Sequence, residues 1–134
     1  MQQTNDAGKT ILVVDDEVRV RGVLEQLLED EGYQVAVVRG GKEAIEYLEQ
    51  NTTAPCLILL DMMMPEMTGV EFLTHQQSNA TLATIPVVAM SASLYLAQNA
   101  DVFGVTEYIH KPFDFPELLS IVTRHCGSGT PLNG

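Results

Sequence analysis

Residues 11–17 read ILVVDDE, four apolar residues followed at once by three acids. A short run that is apolar on both faces and rich in Val and Ile is typical of a buried parallel strand. Behind it, apolar residues recur at positions i, i+3, i+4, i+7 and i+8, which form one face of a helix: Val20, Val23, Leu24, Leu27 and Leu28. The stretch therefore predicts a strand, an acidic turn and a helix.

The alternation of strand and helix continues along the chain. Further apolar runs predict four more strands, at Val35–Val38, Leu57–Leu60, Pro86–Met90 and Tyr108–Ile109. Helical spacing predicts four more helices, around Ala44–Leu48, Val70–Leu73, Leu94–Val102 and Phe115–Val122. Glycines punctuate the pattern, and Gly32 follows the first helix where a C′ glycine belongs. Five strands that alternate with five helices predict a doubly wound α/β domain with a parallel sheet.

Length and charge narrow the function. The chain has 134 residues, enough for one domain, with 18 acids against 7 bases and a net charge of −11. Direct binding to nucleic acid or to an anionic membrane needs clustered Lys and Arg, so we expect neither. The apolar runs are too short to span a bilayer, and no signal peptide opens the sequence. We expect a cytoplasmic protein with a flexible arm at 1–9, a domain at 10–126 and a polar tail or linker at 127–134.

The two cysteines, Cys56 and Cys126, suggest neither a disulfide framework nor a zinc site. Cys56 adjoins an apolar run and is interpreted as a small core residue, whereas Cys126 lies near the C-terminal tail. We therefore expect no disulfide and a reducing compartment.

The residues that follow the strands are the most informative, because ligands of such sheets bind beyond the carboxyl ends of the strands. Asp15 and Asp16 follow the first strand, Asp61 the third, Ser91 the fourth and Lys111 the fifth. One aspartate could simply cap the first helix. Converging carboxylates, however, repel one another, and a hard divalent cation such as Mg²⁺ would relieve that repulsion.

Lys111 is a cation and Ser91 offers a hydrogen-bond donor, so both are complementary to negative charge. Lys111 could serve merely to neutralise the acids. Together with Ser91 and a magnesium ion, however, it would complete a binding site for a phosphoryl group. An aspartate can be the covalent acceptor in phosphoryl transfer. Asp61 is the best candidate, because it stands alone at the end of the central strand.

Four motifs in this order resemble the receiver domain of two-component response regulators. They are residues 12–17 (LVVDDE), 61–69 (DMMMPEMTG), 91–92 (SA) and 108–113 (YIHKPF). The resemblance covers the predicted domain and implies a flavodoxin-like sheet with strand order 2-1-3-4-5. One departure is Thr68, which stands where an acid is common in the family and which we expect the turn to tolerate.

The resemblance also implies a role for each site residue. Asp61 would accept the phosphoryl group and contribute to the cation site, Asp16 would bind Mg²⁺ (or Mn²⁺) directly, and Asp15 would bind it through water. The other implied features are a cation ligand from the backbone carbonyl of Met63, phosphoryl-binding and switch residues Ser91, Ala92 and Lys111, an aromatic switch residue Tyr108, and a cis peptide bond before Pro112.

The implied phosphodonor is a phosphohistidine on a sensor histidine kinase or a histidine phosphotransfer protein. Phosphorylation would switch the surface of the fourth helix, fifth strand and fifth helix, and so control a downstream protein. The expected class is a regulatory phosphoacceptor that catalyses only its own phosphotransfer and slow autodephosphorylation. It would be either a single-domain regulator or one domain of a longer protein.

Two other functions fit parts of the pattern. An Mg²⁺-dependent phosphohydrolase would also use a nucleophilic aspartate, but it places a second acid two residues later, where this chain has Met63. A degenerate receiver that serves only as a scaffold would not need the site residues, all of which are present. Met63 also borders the path of hydrolytic water and offers it no hydrogen bond, so we expect the phosphoryl group to persist.

Overall fold

The computed structural model describes residues 10–51, 53–64, 67–93, 98–99 and 104–127. Its strands and helices are β1 Thr10–Val14, α1 Val18–Asp30, β2 Gln34–Val38, α2 Gly41–Gln50, β3 Leu57–Asp61, α3 Gly69–Gln77, β4 Val87–Ser91, β5 Glu107–His110 and α4 Phe115–Cys126. Helix α4 is the fifth helix of the sequence prediction. The predicted helix at Leu94–Val102 falls mostly outside the described residues, as do the arm at 1–9 and positions 128–134 of the tail.

The five strands form one parallel sheet in the order β2-β1-β3-β4-β5. This order confirms the predicted fold. Within it, Asp61 lies opposite Met90, and Ser91 lies opposite His110. Because parallel strands all end at the same edge, the register brings the polar residues that follow β1 and β5 beside those that end β3 and β4.

Strand residues alternate between two apolar clusters, one on each face of the sheet. Leu12 and Val14 pack with residues of α2 and α3, whereas Ile11 and Val13 pack with residues of α1 and α4. Strand β3 is divided in the same way and is buried along its whole length. Runs that are apolar on both faces are therefore what a sheet covered by helices on both sides requires.

Helix α1 follows the predicted spacing with one exception. Leu24 and Leu28 are fully buried, but Val23 is 52% exposed, so the buried stripe of α1 is narrower than predicted. Gly32 has a φ of 95° and donates its N–H to the carbonyl of Glu29 at 2.9 Å. This left-handed conformation confirms its role as the C′ glycine. In the described ranges, none of the helices combines the length and the apolar character needed to cross a membrane.

The structure contradicts the expectation for the cysteines. Cys56 and Cys126 form a disulfide across 70 residues of sequence, with their Cα atoms 5.4 Å apart, so neither thiol is free. Cys56 directly precedes β3, and Cys126 ends α4. The prediction was wrong because it weighed each cysteine by its neighbours in sequence, whereas the pairing depends on where the end of α4 meets the start of β3.

The start of α3 is fixed by a side-chain cap and a close backbone contact. Thr68 caps α3: its hydroxyl accepts the N–H of Glu71 at 3.2 Å, and the Glu71 carboxylate accepts the N–H of Thr68 at 2.8 Å. The next residue, Gly69, packs so closely that a Cβ there would lie 2.7 Å from the Cα of Met62. Thr68 therefore caps α3, a role that an acid at this position could also fill, and this accounts for the tolerance of threonine here.

We expect Thr68→Ala to lower the free energy of unfolding by about 1 kcal/mol, because α3 loses its side-chain cap. Thr68→Asp is the matched control and should keep most of the stability, since aspartate is at least as good an N-cap. Urea unfolding followed by circular dichroism measures both. Equal stabilities of the two variants would show that the side chain at this position does not hold the start of α3.

Candidate functional site

Three aspartates converge at the carboxyl edge of the sheet. One carboxylate oxygen each from Asp15, Asp16 and Asp61 lie within 4.8 Å of one another. Asp15 and Asp61 are buried, whereas Asp16 is exposed, so the cluster opens to solvent on one side. The donor set consists of hard carboxylate oxygens, which suit Mg²⁺ and similar cations.

Asp15 is held in place by its neighbours. One carboxylate oxygen accepts the N–H of Glu17 at 2.9 Å, and the other accepts a hydrogen bond from the Lys111 ammonium, also at 2.9 Å. Its backbone carbonyl accepts from the Arg21 guanidinium at 2.8 Å. Both carboxylate oxygens are thus engaged, and the orientation of Asp15 is set before any ligand binds.

Asp61 is buried and hydrogen-bonded to backbone. Its Oδ1 accepts the N–H of Met63 at 3.0 Å, and its side chain is only 5% exposed. Burial raises the pKa of the Asp61 carboxyl to about 7, helped by the charge of Asp15 and a hydrogen bond with Asp16, and opposed by the Met63 N–H and Lys111. Without a cation, this carboxyl is therefore only partly ionised near neutral pH.

Lys111 lies among the acids. Its Nζ is 2.9 Å from Asp15, 3.5 Å from Glu17 and 3.7 Å from Asp61. Burial disfavours the charged ammonium, but the hydrogen bond to Asp15 and the three negative charges outweigh it and raise the pKa of Lys111. The lysine is thus a fixed positive charge at neutral pH. The peptide bond that joins it to Pro112 is cis.

Ser91 ends β4, the strand next to β3, and Tyr108 lies in β5. Ser91 is buried, and its hydroxyl accepts the N–H of Ser93 at 3.0 Å. The Tyr108 hydroxyl donates to the carbonyls of Ser91 and Ser93. Ala92, between them, is exposed. In this arrangement the serine hydroxyl and the tyrosine both hold the backbone that follows β4.

The three methionines that follow Asp61 differ in exposure. Met62 and Met64 are buried in the apolar cluster against α2 and α3, whereas the Met63 side chain projects outward and the residue is 67% exposed. The exposed side chain therefore belongs to the residue two positions after Asp61, whose backbone N–H holds the Asp61 carboxyl. Residues 65 and 66 lie outside the described residues.

Sequence reasoning passed over Arg21, whose guanidinium donates to the backbone carbonyl of Asp15. It placed Glu17 at the end of β1 but gave it no specific role, and the structure shows its carboxylate 3.5 Å from Lys111. A cavity of about 290 Å³ also opens beside Asp16, lined in part by Arg39 and Lys42. The signal was present in the sequence, because Arg39 follows β2 and so lies at the same edge as the other strand-end residues.

Comparison with known proteins identifies the family. The family model described as response regulator receiver domain matches residues 11–123, and the chain belongs to this family. Domains of this family are regulatory phosphoacceptor domains of two-component systems rather than classical enzymes.

Two similar proteins match along almost their whole length. The chain is 37% identical to an "Uncharacterized 14.6 kDa protein in sodA1 3'region" of Leptolyngbya boryana, over 90% of this chain and 92% of that protein. It is 30% identical to Protein PilG of Pseudomonas aeruginosa, over 99% and 98% of the two chains.

A solved structure also matches closely. It is the receiver domain of a sensor histidine kinase from Pseudomonas aeruginosa, with a magnesium ion coordinated in its active site cleft. It is 28% identical to this chain, with a TM-score of 0.79, and the match covers 90% of this chain and 99% of that one.

The raised pKa of Asp61 has a consequence for stability. Because the folded chain holds this proton to a higher pH than the unfolded chain does, stability without a cation falls as pH rises from about 4 to about 7. Asp61→Asn removes the ionisable group, so in the presence of a chelator we expect it to stabilise the protein by about 4 kcal/mol near pH 8 and hardly at all near pH 4.

Urea unfolding at the two pH values measures this difference. Asp30→Asn, at the exposed end of α1, is a matched control that should show no such pH-dependent gain. A gain for Asp61→Asn that is the same at both pH values would contradict a buried charged carboxylate as its cause.

Proposed function

We propose that this chain is a phosphorylation-controlled signalling module in which Asp61 accepts a phosphoryl group from a phosphohistidine. The donor would be a sensor histidine kinase or a histidine phosphotransfer protein. The observation that carries the proposal is the convergence of Asp15, Asp16 and Asp61 with the ammonium of Lys111. Family membership and the magnesium ion in the related receiver structure support it.

The chemistry follows from the contacts. A carboxylate oxygen of Asp61 attacks the phosphorus, the bond from phosphorus to the histidine nitrogen breaks, and the imidazole leaves with its electron pair. The N–H of Met63 keeps the Asp61 carboxyl oriented, and Lys111 provides positive charge for the transferred oxygens. When bound, Mg²⁺ (or Mn²⁺) neutralises negative charge on the carboxylates and the phosphoryl group.

The residues that would hold the cation differ in how many of their carboxylate oxygens are already hydrogen-bonded. Asp16 is exposed, and Asp61 has one oxygen engaged by backbone, so both can offer an oxygen directly. Asp15 has both oxygens engaged by Glu17 and Lys111, which favours a contact through water. The backbone carbonyl of Met63 is the remaining proposed ligand.

The proposed switch requires Ser91 and Tyr108 to break the hydrogen bonds that they make in this structure. Ser91 would give up the N–H of Ser93 and turn its hydroxyl, with the Ala92 backbone, toward the phosphoryl oxygens. The Tyr108 ring would lose its bonds to the carbonyls of Ser91 and Ser93 and turn inward. Moving a two-state protein from mostly inactive to mostly active needs a differential of roughly 5 kcal/mol. A few charge-assisted hydrogen bonds to the phosphoryl group supply energy of that order.

The output we propose is a protein contact on the surface that includes β5 and α4. There, Arg124 of α4 forms a bidentate ion pair with Glu107 of β5, at 2.7 and 2.9 Å. The net charge of −11 argues against direct contact with nucleic acid or an anionic membrane. We propose a cytoplasmic location and a downstream protein as the target.

Labelling with acetyl phosphate and Mg²⁺ tests the function. We expect intact-mass analysis to show one acid-labile phosphate per chain, lost in Asp61→Asn and when a chelator removes the cation. Asp114→Asn, an exposed aspartate at the start of α4, is the matched control and should still be labelled. Steady turnover of phosphate esters would instead indicate a phosphohydrolase, and no labelling would indicate a scaffold; either outcome contradicts the proposal.

Met63 should set how long the phosphate lasts. Met63→Asn places a hydrogen-bonding side chain on the exposed side of Asp61, and one hydrogen bond to the attacking water is worth about 1 kcal/mol, so we expect dephosphorylation about fivefold faster. Met63→Leu keeps the position apolar and should leave the rate unchanged. The rate is followed by mass spectrometry after the phosphodonor is removed, and an unchanged rate in Met63→Asn would contradict the role of this residue.

A further inference from the structure

The disulfide between Cys56 and Cys126 lies away from the acidic cluster. Cys56 precedes β3 and therefore lies at the amino edge of the sheet, whereas Asp61 ends the same strand at the carboxyl edge. The bond ties the last residue of α4 to the strand that carries Asp61. Nothing in the proposed phosphotransfer uses it.

The end of α4 is also held by noncovalent contacts. The buried Tyr33 donates its hydroxyl hydrogen to the carbonyl of Gly127, just past the helix. On the other side, Glu107 accepts from Arg124 and lies 2.9 Å from the His125 ring. The apolar face of α4 is buried as well, so the helix has contacts that would keep it on the sheet if the disulfide opened.

The two cysteines differ in exposure. Cys126 is 8% exposed and packs in the apolar cluster against α1 and α4, whereas Cys56 is only partly buried, at the rim of that cluster. The side of Cys56 is therefore the more open approach for an external thiolate. Exchange needs such access, because the attacking thiolate must approach a disulfide sulfur.

We propose that Cys56 and Cys126 are a redox modification site, a dithiol and disulfide pair that exchanges with small thiols. In the reducing direction a thiolate attacks Cys56, Cys126 leaves as a thiolate and takes a proton, and a second thiol resolves the mixed disulfide. The two small thiols become one small disulfide, and the protein disulfide gains two electrons and two protons to become two cysteine thiols. Oxidation of the protein by a small disulfide is the reverse reaction. The inference rests on the proposed cytoplasmic location, where protein disulfides are usually transient or redox-sensing.

The expected effect is on the end of α4 rather than on phosphotransfer. The loop that the disulfide closes runs from β3 to α4 and includes Asp61, Ser91 and Lys111. Opening it releases the last turn of α4 from β3, while the acidic cluster keeps its own contacts at the opposite edge. Oxidation thus stiffens one end of the proposed output surface and leaves the phosphoacceptor competent.

A glutathione titration of the wild-type chain tests the proposal directly. Protein is equilibrated over a series of reduced-to-oxidised glutathione ratios, quenched with acid and labelled with a maleimide that shifts its mass. We expect two thiols to become labelled together as the ratio rises, and to be lost again when it falls. A pair that stays closed in excess reduced glutathione, or open in excess oxidised glutathione, overturns the proposal.

A second measurement tests the consequence for α4. We expect the oxidised chain to unfold about 10 °C higher than the reduced chain, and its amides at 123–127 to exchange hydrogen more slowly. The Cys56→Ser/Cys126→Ser variant is the control and should show neither difference between the two buffers. Equal exchange at 123–127 in the oxidised and reduced wild-type chains would overturn the proposed effect on the helix.

Acetyl phosphate labelling in both buffers separates the two proposals. Labelling of Asp61 in both redox states is the expected result, and labelling in only one state overturns the claim that the phosphoacceptor is independent of the disulfide. Loss of labelling in both states would contradict the proposed function, while the titration and the exchange of α4 would still decide the redox site.

Discussion

The mutual repulsion of Asp15, Asp16 and Asp61 is the constraint on which the site depends. Two of these carboxylates are buried, where charge loses its hydration, and the ammonium of Lys111, which lies near them, is also shared with Glu17. Burial is the main cause of the raised pKa of Asp61, and the charge of Asp15 adds to it. A site in this state gains from every additional positive charge, which is why a divalent cation and the phosphoryl chemistry that accompanies it fit the same few residues.

The sheet connects the acidic cluster at one edge to the disulfide at the other. Strand β3 ends in the phosphoacceptor candidate and begins beside Cys56, and α4 begins shortly after Lys111 and ends in Cys126. Lys111, in the loop that joins β5 to α4, thus contacts the carboxyl end of β3, and the disulfide joins the amino end of β3 to the end of α4. The ion pair acts on the acidic cluster, whereas the proposed thiol exchange at Cys56 and Cys126 would act on the end of α4.

Much of the fold and site could be predicted from ILVVDDE and the other apolar runs, because a sheet covered on both faces requires such runs and collects polar residues at one edge. The contacts that side chains make in the folded chain were harder to predict from the sequence. Helix α1 packs mostly against β2, the edge strand, so Val23 on its outer side stays exposed despite its spacing. The capping of α3 by Thr68, the bonds of the Tyr108 hydroxyl and the pairing of the cysteines depend on neighbours that only the folded chain brings together.

The division of β1 between two apolar clusters has a consequence for how such a chain can diverge. Leu12 and Val13 are adjacent in sequence, yet they pack into separate interiors with the backbone ladder between them. A change in volume at Leu12 would therefore be taken up mainly by α2 and α3, and a change at Val13 mainly by α1 and α4. Neighbouring residues of one strand thus belong to two cores that can be repacked separately.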